Sequence, residues 1–223
     1  MSEAPARPLP RDRLVADALF AVQLGCALLF GGSQALHMLH TTEGVSLSWF
    51  GFWEAFLLIN FRLALRAHRA WPSRVTTQTV AVYALWTAII GLDLAVMLVR
   101  GQARWTDIDT LTTLVAGAGV AVTIALARAR RMTIADPIVR GWLAVFFKAV
   151  PQLTLAWNIA RVGGGGLSPL GVVAGHVTIC TRLGQLGLAI REAGFDRNRL
   201  GSALSEVANE ASWIVATVVW LLV

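Results

Sequence analysis

The chain has 223 residues, of which 56% are hydrophobic and only 14% charged, and its mean hydropathy is +0.63. A soluble domain has about 25% charged residues, so this composition excludes an ordinary soluble protein. The formal net charge is +6, but the basic residues lie in short loops between apolar segments. This distribution argues against a nucleic-acid-binding surface. It is typical of a protein that crosses the lipid bilayer several times.

Seven apolar segments follow one another along the chain, each close to the ~20 residues that a membrane-spanning helix needs. In chain order they cover residues 14–39, 47–65, 75–99, 106–127, 138–160, 167–190 and 202–223. Short polar loops separate them, and no stretch remains for a separate soluble domain. The sequence therefore predicts an all-α polytopic membrane protein with seven transmembrane helices.

Arginine is distributed unequally between the two faces of this arrangement. Fourteen arginines fall on the tail and loops of one face and only three, Arg100, Arg104 and Arg161, on the loops of the other. Loops rich in basic residues stay in the cytoplasm. We therefore expect a multi-pass protein of the cytoplasmic (plasma) membrane, with its N-terminus in the cytoplasm and its C-terminus outside.

A short motif occurs twice. Ser33-Gln34 is followed by Gly44-Val45-Ser46 in the first part of the chain, and Pro151-Gln152 is followed by Gly166-Leu167-Ser168 in the second. Such a repeat indicates a duplicated unit of three helices. Because three spans is an odd number, one extra helix between the units gives both the same orientation.

The predicted organisation is therefore an N-terminal cytoplasmic tail (1–13), a first three-helix repeat (14–99), a linker helix with its flanking loops (100–137) and a second three-helix repeat (138–223). The two repeats would form parallel three-helix bundles related by an axis along the membrane normal.

A Pro-Gln dipeptide within a helix, followed by a turn and a Gly-hydrophobic-Ser sequence, resembles the PQ-loop motif. This motif marks the superfamily of SWEET sugar transporters, lysosomal PQ-loop amino-acid exporters and bacterial vitamin carriers. The resemblance implies a seven-helix transporter in which Ser33, Gln34, Pro151 and Gln152 are the hinge and motif residues. Ser33 departs from the pattern, since the motif has proline there. The orientation also departs, because SWEET-type members place the first loop in the cytoplasm.

Ionisable side chains near the middle of an apolar span cost about 2.5–3.5 kcal/mol each on insertion scales, so their presence indicates a function. Five candidates for substrate binding lie there: Glu54, Lys148, His176, Arg182 and Glu210. Lys148 is the only lysine in the chain. We expect its amine to bind a substrate carboxylate or to exchange a proton with Glu54; the open alternative is an ion pair that only holds two helices together.

Two tryptophans, Trp86 and Trp213, occupy equivalent places in the two predicted repeats. Aromatic faces at mid-membrane can stack on a ring or hold a cation. Asn209, one turn before Trp213, offers an amide to hydroxyl groups. These three residues complete the predicted substrate-binding set, with helix packing as the open alternative for the tryptophans.

These features predict a transporter that moves a small polar solute by alternating access between the repeats. The candidate solutes are a charged or zwitterionic metabolite, a sugar or a vitamin, and proton coupling is left open. The alternative is a seven-helix receptor or sensor that binds a small ligand or a peptide carboxylate. The sequence has no metal-ligand cluster, no nucleophile beside a base and no phosphate-binding glycine loop, so we expect neither an enzyme nor a cofactor. The expected partners are the solute and the lipid bilayer, not nucleic acid, with a homo-oligomer left open.

Overall fold

The computed structural model describes residues 10–100 and 104–223, which form seven helices and no strand. The helices are α1 (Pro10–His40), α2 (Leu47–Ala70), α3 (Arg74–Arg100), α4 (Asp107–Ala129), α5 (Pro137–Val162), α6 (Pro169–Ala193) and α7 (Arg197–Leu222). The all-α prediction is confirmed. Helix α1 begins at Pro10, within the predicted tail (1–13). Residues 1–9 of that tail and residues 101–103 of the predicted linker lie outside the described part.

Four of the described helices are long and apolar enough to cross a membrane by themselves. They are α1, α3, α4 and α5. The other three are 24 to 26 residues long, but they are more polar and carry the ionisable residues that stand out in the sequence, among them Glu54, Arg182 and Glu206. Four such apolar helices support a membrane protein.

The helix starts follow from local sequence. Ser46, Thr106, Asp136 and Ser168 each precede a helix, and each side chain accepts a hydrogen bond from a backbone N–H of the first turn. Proline follows Asp136 and Ser168, at a position where its missing N–H costs nothing. A cap of this kind stabilises a helix by about 1 kcal/mol.

Helix α5 contains a π-helical turn, Val145–Ala149, directly before Pro151. Proline donates no hydrogen bond, and its ring crowds the carbonyl four residues earlier, so the regular α-helical ladder cannot continue through it. The wider turn accommodates this conflict, and such turns are frequent at functional sites. Lys148 lies on it. The hinge role of Pro151 and Gln152 stays a prediction. The two residues lie just after this irregular turn of the helix.

The first three helices and the last three make corresponding contacts. Helix α3 packs against both α1 and α2, and α7 packs against both α5 and α6. Between the groups, α1 packs on α6 and α2 packs on α5. Exchanging α1 with α5, α2 with α6 and α3 with α7 therefore reproduces the same set of neighbours. Helix α4 lies against α5 and, less extensively, against α2.

Candidate functional site

A cavity lies between the two groups of helices and is lined by residues from every helix except α4. The space between its side chains is about 510 Å³, including its open mouth. Five of the eight predicted substrate-binding residues line it: Trp86, Lys148, Arg182, Asn209 and Trp213. Gln152 of the second motif lines it as well. We call this space the central pocket.

The other three predicted residues lie outside the lining. Glu54 is on the side of α2 that faces Gly91 of α3, and its Oε2 is buried without a hydrogen-bond partner among the described residues. His176 Nδ1 lies 2.8 Å from Oε1 of Glu210, and its Nε2 lies 3.0 Å from the hydroxyl of Thr217. This pair joins α6 to α7. A substrate-binding role for these three residues stays a prediction.

One wall of the central pocket is aromatic and comes from α1, α2 and α3, together with Trp213. The ring centre of Phe30 lies 5.3 Å from that of Trp53, 5.7 Å from that of Trp86 and 6.1 Å from that of Trp213. The rings are tilted or edge-on to one another, the arrangement that aromatic quadrupoles favour. Phe30, Trp86 and Trp213 are buried, so this wall presents mainly apolar ring surface to the pocket.

The opposite wall is polar and comes from α5, α6 and α7. Lys148 is only 5% exposed, and its Nζ lies 5.7 Å from the ring centre of Phe56. No ion pair or hydrogen bond to its ammonium group occurs within residues 10–100 and 104–223. Gln152 donates a hydrogen bond to Oδ1 of Asn209 at 3.2 Å and accepts one from Ser212. Arg182 Nη1 is 3.7 Å from Oε1 of Glu206.

Gly175 gives the pocket its space on the α6 side. A Cβ atom at this position would lie 2.6 Å from Nε1 of Trp213, so any larger residue would displace the indole. The sequence reading missed Gly175, because a glycine within an apolar helix gives no signal of what it faces. It also missed Phe30, Trp53 and Tyr83, which resemble ordinary core residues until their partners are known.

The central pocket leads to one face of the protein. A larger space of about 1470 Å³, open to solvent, shares Tyr83 and Arg182 with it and reaches Val75 near the start of α3 and Asn198 near the start of α7. A second space shares Phe56, Tyr83 and Arg182 with the central pocket and extends to Arg140 near the start of α5. We call these spaces together the vestibule. It lies on the face that carries the arginine-rich loops.

The opposite face is closed by contacts between the two groups. Gln34, fully buried, donates a hydrogen bond to the carbonyl of Gly166 and accepts one from the N–H of Ser168, both at 2.9 Å. The hydroxyls of Ser33 and Ser168 lie 2.8 Å apart, and the N–H of Gly166 donates to the carbonyl of Glu43 at 2.8 Å. The first motif thus contacts the loop that belongs to the second. We call these contacts the closed gate.

Two glycines allow the gate loops to approach. Gly44 has φ +74° and Gly166 has φ +76°, a conformation that other residues rarely adopt. A Cβ on Gly44 would lie 2.9 Å from the carbonyl oxygen of Gly164, and one on Gly166 would lie 2.8 Å from that of Gly44. The backbones therefore meet with no room for side chains.

Asp109 is a further buried group that the sequence reading missed. Its carboxylate accepts hydrogen bonds from the Ser46 hydroxyl at 2.9 Å, from the Ser48 N–H at 3.1 Å and from the Ser48 hydroxyl at 2.7 Å. It also closes a capping box with Thr106. The spacing of Thr106 and Asp109 indicates the capping box, but not the partners on α2.

Comparison of the chain with protein families, with characterised proteins and with solved structures gave no match. The resemblance to the PQ-loop superfamily therefore stays a prediction from the sequence.

Proposed function

We propose that this protein is a carrier of the plasma membrane that moves a small polar solute by alternating access between two three-helix repeats, residues 14–99 and 138–223. The observation that carries the proposal is the combination of a central pocket, a vestibule on one face and a closed gate on the other. This is the arrangement expected of a carrier caught with its site accessible from one side.

The residues that line the pocket support the proposed pair of three-helix repeats, because several of them occupy equivalent positions. Aligning Gln34 with Gln152, Ser46 with Ser168 and Trp86 with Trp213 brings eight further lining residues into register as four equivalent pairs. Those pairs are Phe30 with Lys148, Trp53 with Gly175, Phe56 with Thr178, and Leu57 with Ile179. A site on the axis between two related units has this property, whereas a crevice between unrelated helices does not. The corresponding helix contacts of the two groups support the same view.

The proposal includes seven membrane spans. Helices α2, α6 and α7 are as long as the apolar four and pack among them. Their ionisable groups face one another or the internal spaces, as in the pairs Arg182–Glu206 and His176–Glu210. Intramembrane charge is tolerated when it faces the interior in this way. With the N-terminus in the cytoplasm, the vestibule opens to the cytoplasm and the closed gate faces outside.

Proton coupling is part of the proposal and is assigned to Glu54. The carboxyl group is half-buried, and one of its oxygens has no partner in the described part of the chain. A carboxyl group without a fixed counter-charge can take up and release a proton as the solvent around it changes.

A cysteine lock tests the proposal without knowledge of the solute. In a protein with Cys26→Ala and Cys180→Ser, a Thr178→Cys reporter would line the central pocket. Adding Ser33→Cys and Ser168→Cys places two thiols where the hydroxyls are 2.8 Å apart, close enough to form a disulfide after a small adjustment. A small charged methanethiosulfonate reagent would then be added to one side of the membrane at a time.

A carrier predicts that the reporter reacts from both sides while the lock is reduced and only from the vestibule side once it is oxidised. Each single serine-to-cysteine variant is the control and should behave like the reduced protein. Reaction from one side only, in the reduced and the oxidised protein alike, would contradict the carrier and favour a receptor with a fixed site.

A further inference from the structure

The charge of the central pocket limits what it can bind. Lys148 contributes an ammonium group that makes no hydrogen bond or ion pair among the described residues, and Arg182 contributes a guanidinium group 3.7 Å from Glu206. Glu206 is the carboxylate that faces both cations, and it lies outside the lining of the pocket, which has no aspartate or glutamate in the described part of the chain. Two cations against one carboxylate leave one positive charge, whose natural complement is a ligand with one negative charge.

The absence of a lining carboxylate also bears on the other solute classes. An amino-acid zwitterion or an organic cation brings an ammonium group that Lys148 and Arg182 repel, and among residues 10–100 and 104–223 the lining offers it aromatic faces but no carboxylate. The indole N–H of Trp86, which lines the same pocket, is buried without an acceptor. The pocket therefore has unpaired hydrogen-bond donors, and a ligand that fits it should bring acceptor atoms.

The shape of the pocket follows from how the two repeats differ at equivalent positions. Where the first group supplies Phe30, Trp53 and Phe56, the second supplies Lys148, Gly175 and Thr178. The first group thus gives rings, and the second gives an amine, a glycine against which the Trp213 indole packs, and a hydroxyl. A sugar can stack a C–H face on the aromatic wall, but it brings no negative charge to Lys148.

We infer that the solute is a small monocarboxylate with a flat, unsaturated ring, whose carboxylate binds Lys148 and whose ring packs against the indoles of Trp86 and Trp213. The inference names the solute of the proposed carrier and rests on that proposal. Asn209 and Gln152, which are bonded to each other, line the same pocket as Lys148.

The effect of ligand charge can be measured at nearly constant size and shape with three molecules: benzoate (an anion), benzamide (neutral) and benzamidine (a cation). Binding to the purified full-length protein would be measured by the change in tryptophan fluorescence and by the rise in unfolding temperature. Benzoate should bind about tenfold or more tightly than either isostere. Cyclohexanecarboxylate, an anion without a flat ring, should also bind more weakly than benzoate.

The role of Lys148 is tested by Lys148→Met, which keeps the length of the side chain and removes its charge. This variant should lose the preference for benzoate over benzamide, and Lys148→Arg should keep it. Arg161→Met removes an exposed cation from the far end of the same helix and should leave the preference unchanged. Melting curves of all three variants show whether each is folded.

Equal or tighter binding of benzamide or benzamidine to the wild type would overturn the inference, as would a benzoate preference that survives in Lys148→Met. Failure of all four probes to bind would also overturn it. None of these results touches the cysteine-lock experiment, which uses no ligand. The solute class and the carrier proposal can therefore fail separately.

Discussion

The side chain of Gln34 spans the boundary between the two groups of helices, with its amide oxygen 2.9 Å from the backbone nitrogen of Ser168. Its equivalent in the second group, Gln152, bonds within its own group to Asn209 and Ser212. One motif glutamine therefore holds the gate and the other shapes the pocket. In the proposed repeat the two positions have the same residue with different partners.

Replacing Gln34 by Leu should open the closed gate. The variant leaves the carbonyl of Gly166 and the N–H of Ser168 buried without partners, at a cost of about 1–3 kcal/mol for each group. The Thr178→Cys reporter should then react faster from the gate side. Gln23→Leu is the control, because it removes a hydrogen bond to Gln185 beside the vestibule and should not speed reaction from the gate side.

Gly175→Ala should remove the binding space. The new methyl group would meet the Trp213 indole at 2.6 Å, so we expect benzoate binding to fall by about tenfold or more while the helix stays folded. Gly184→Ala on the same helix has open space around it and should leave binding unchanged. Titration by tryptophan fluorescence measures both. Equal binding by the two variants would show that the pocket is not the site.

Asp109→Ala should destabilise the protein without touching the pocket. The variant leaves the buried hydroxyls of Ser46 and Ser48 and the Ser48 N–H without their acceptor, and we expect a loss of about 2–4 kcal/mol. Asp107→Ala, in the same turn but exposed, should cost about 1 kcal/mol or less. The unfolding temperatures of the two variants give the comparison, and similar values would mean that Asp109 serves only as a helix cap.

Glu54→Gln should uncouple the conformational change from pH. If Glu54 carries the proton, the relative rates at which the reporter reacts from the two sides will change between pH 6 and pH 8 in the parent protein. In Glu54→Gln the ratio should stay constant, because the amide cannot ionise. Glu43→Gln alters an exposed carboxylate of the gate loop and should keep the pH dependence. An unchanged pH response in Glu54→Gln would assign proton coupling elsewhere.

The ion pair between Asp136 and Arg197 should contribute a pH-dependent term to stability. Desolvation raises the pKa of Asp136, but hydrogen bonds from the Ile138 N–H and from Arg197, with the charge of Arg197, outweigh it and hold the pKa below its usual value. The stabilisation is therefore present above the unfolded-state pKa, about 3.9, and is lost as the pH falls. Because Arg197 is largely exposed, we expect at most about 1 kcal/mol.

Asp136→Asn keeps the helix cap and removes the charge, so it isolates this term. Its unfolding temperature should fall below that of the parent at pH 7 and approach it near pH 3. Arg197→Gln should give the same pattern. A difference that is equal at both pH values would mean that the cap, and not the charge, is responsible.

The sequence was sufficient to predict an all-helical membrane protein, because apolar runs of membrane length are set by composition alone. Five of the eight residues that it singled out line the pocket, since residues such as Lys148 and Arg182 are costly in an apolar span unless they face its interior. The sequence did not distinguish the residues that line the pocket from Glu54, His176 and Glu210, which do not. Those residues stand at similar depths, and the direction in which they point depends on helix rotation.

Helix rotation is hard to predict where the helix is irregular. The π-helical turn at Val145–Ala149 inserts one residue, which turns the side chains before it by about 100° relative to those after it. The hydrogen-bond partners of Gln34 and Asp109 could not be predicted from the sequence either, because each contact joins residues more than 60 positions apart. Long-range pairing of this kind leaves no local trace in a single sequence.

Helix α4 belongs to neither group, yet it is tied to both near the closed gate. Asp109 holds the start of α2, and the hydroxyl of Thr112 meets that of Thr154 on α5. In the proposed carrier, a motion that parts α2 from α5 at this end would either break one of these contacts or move α4 through the surrounding acyl chains. The work of moving α4 would depend on how tightly the lipids are packed, so the thickness and fluidity of the bilayer would set the rate of the proposed cycle.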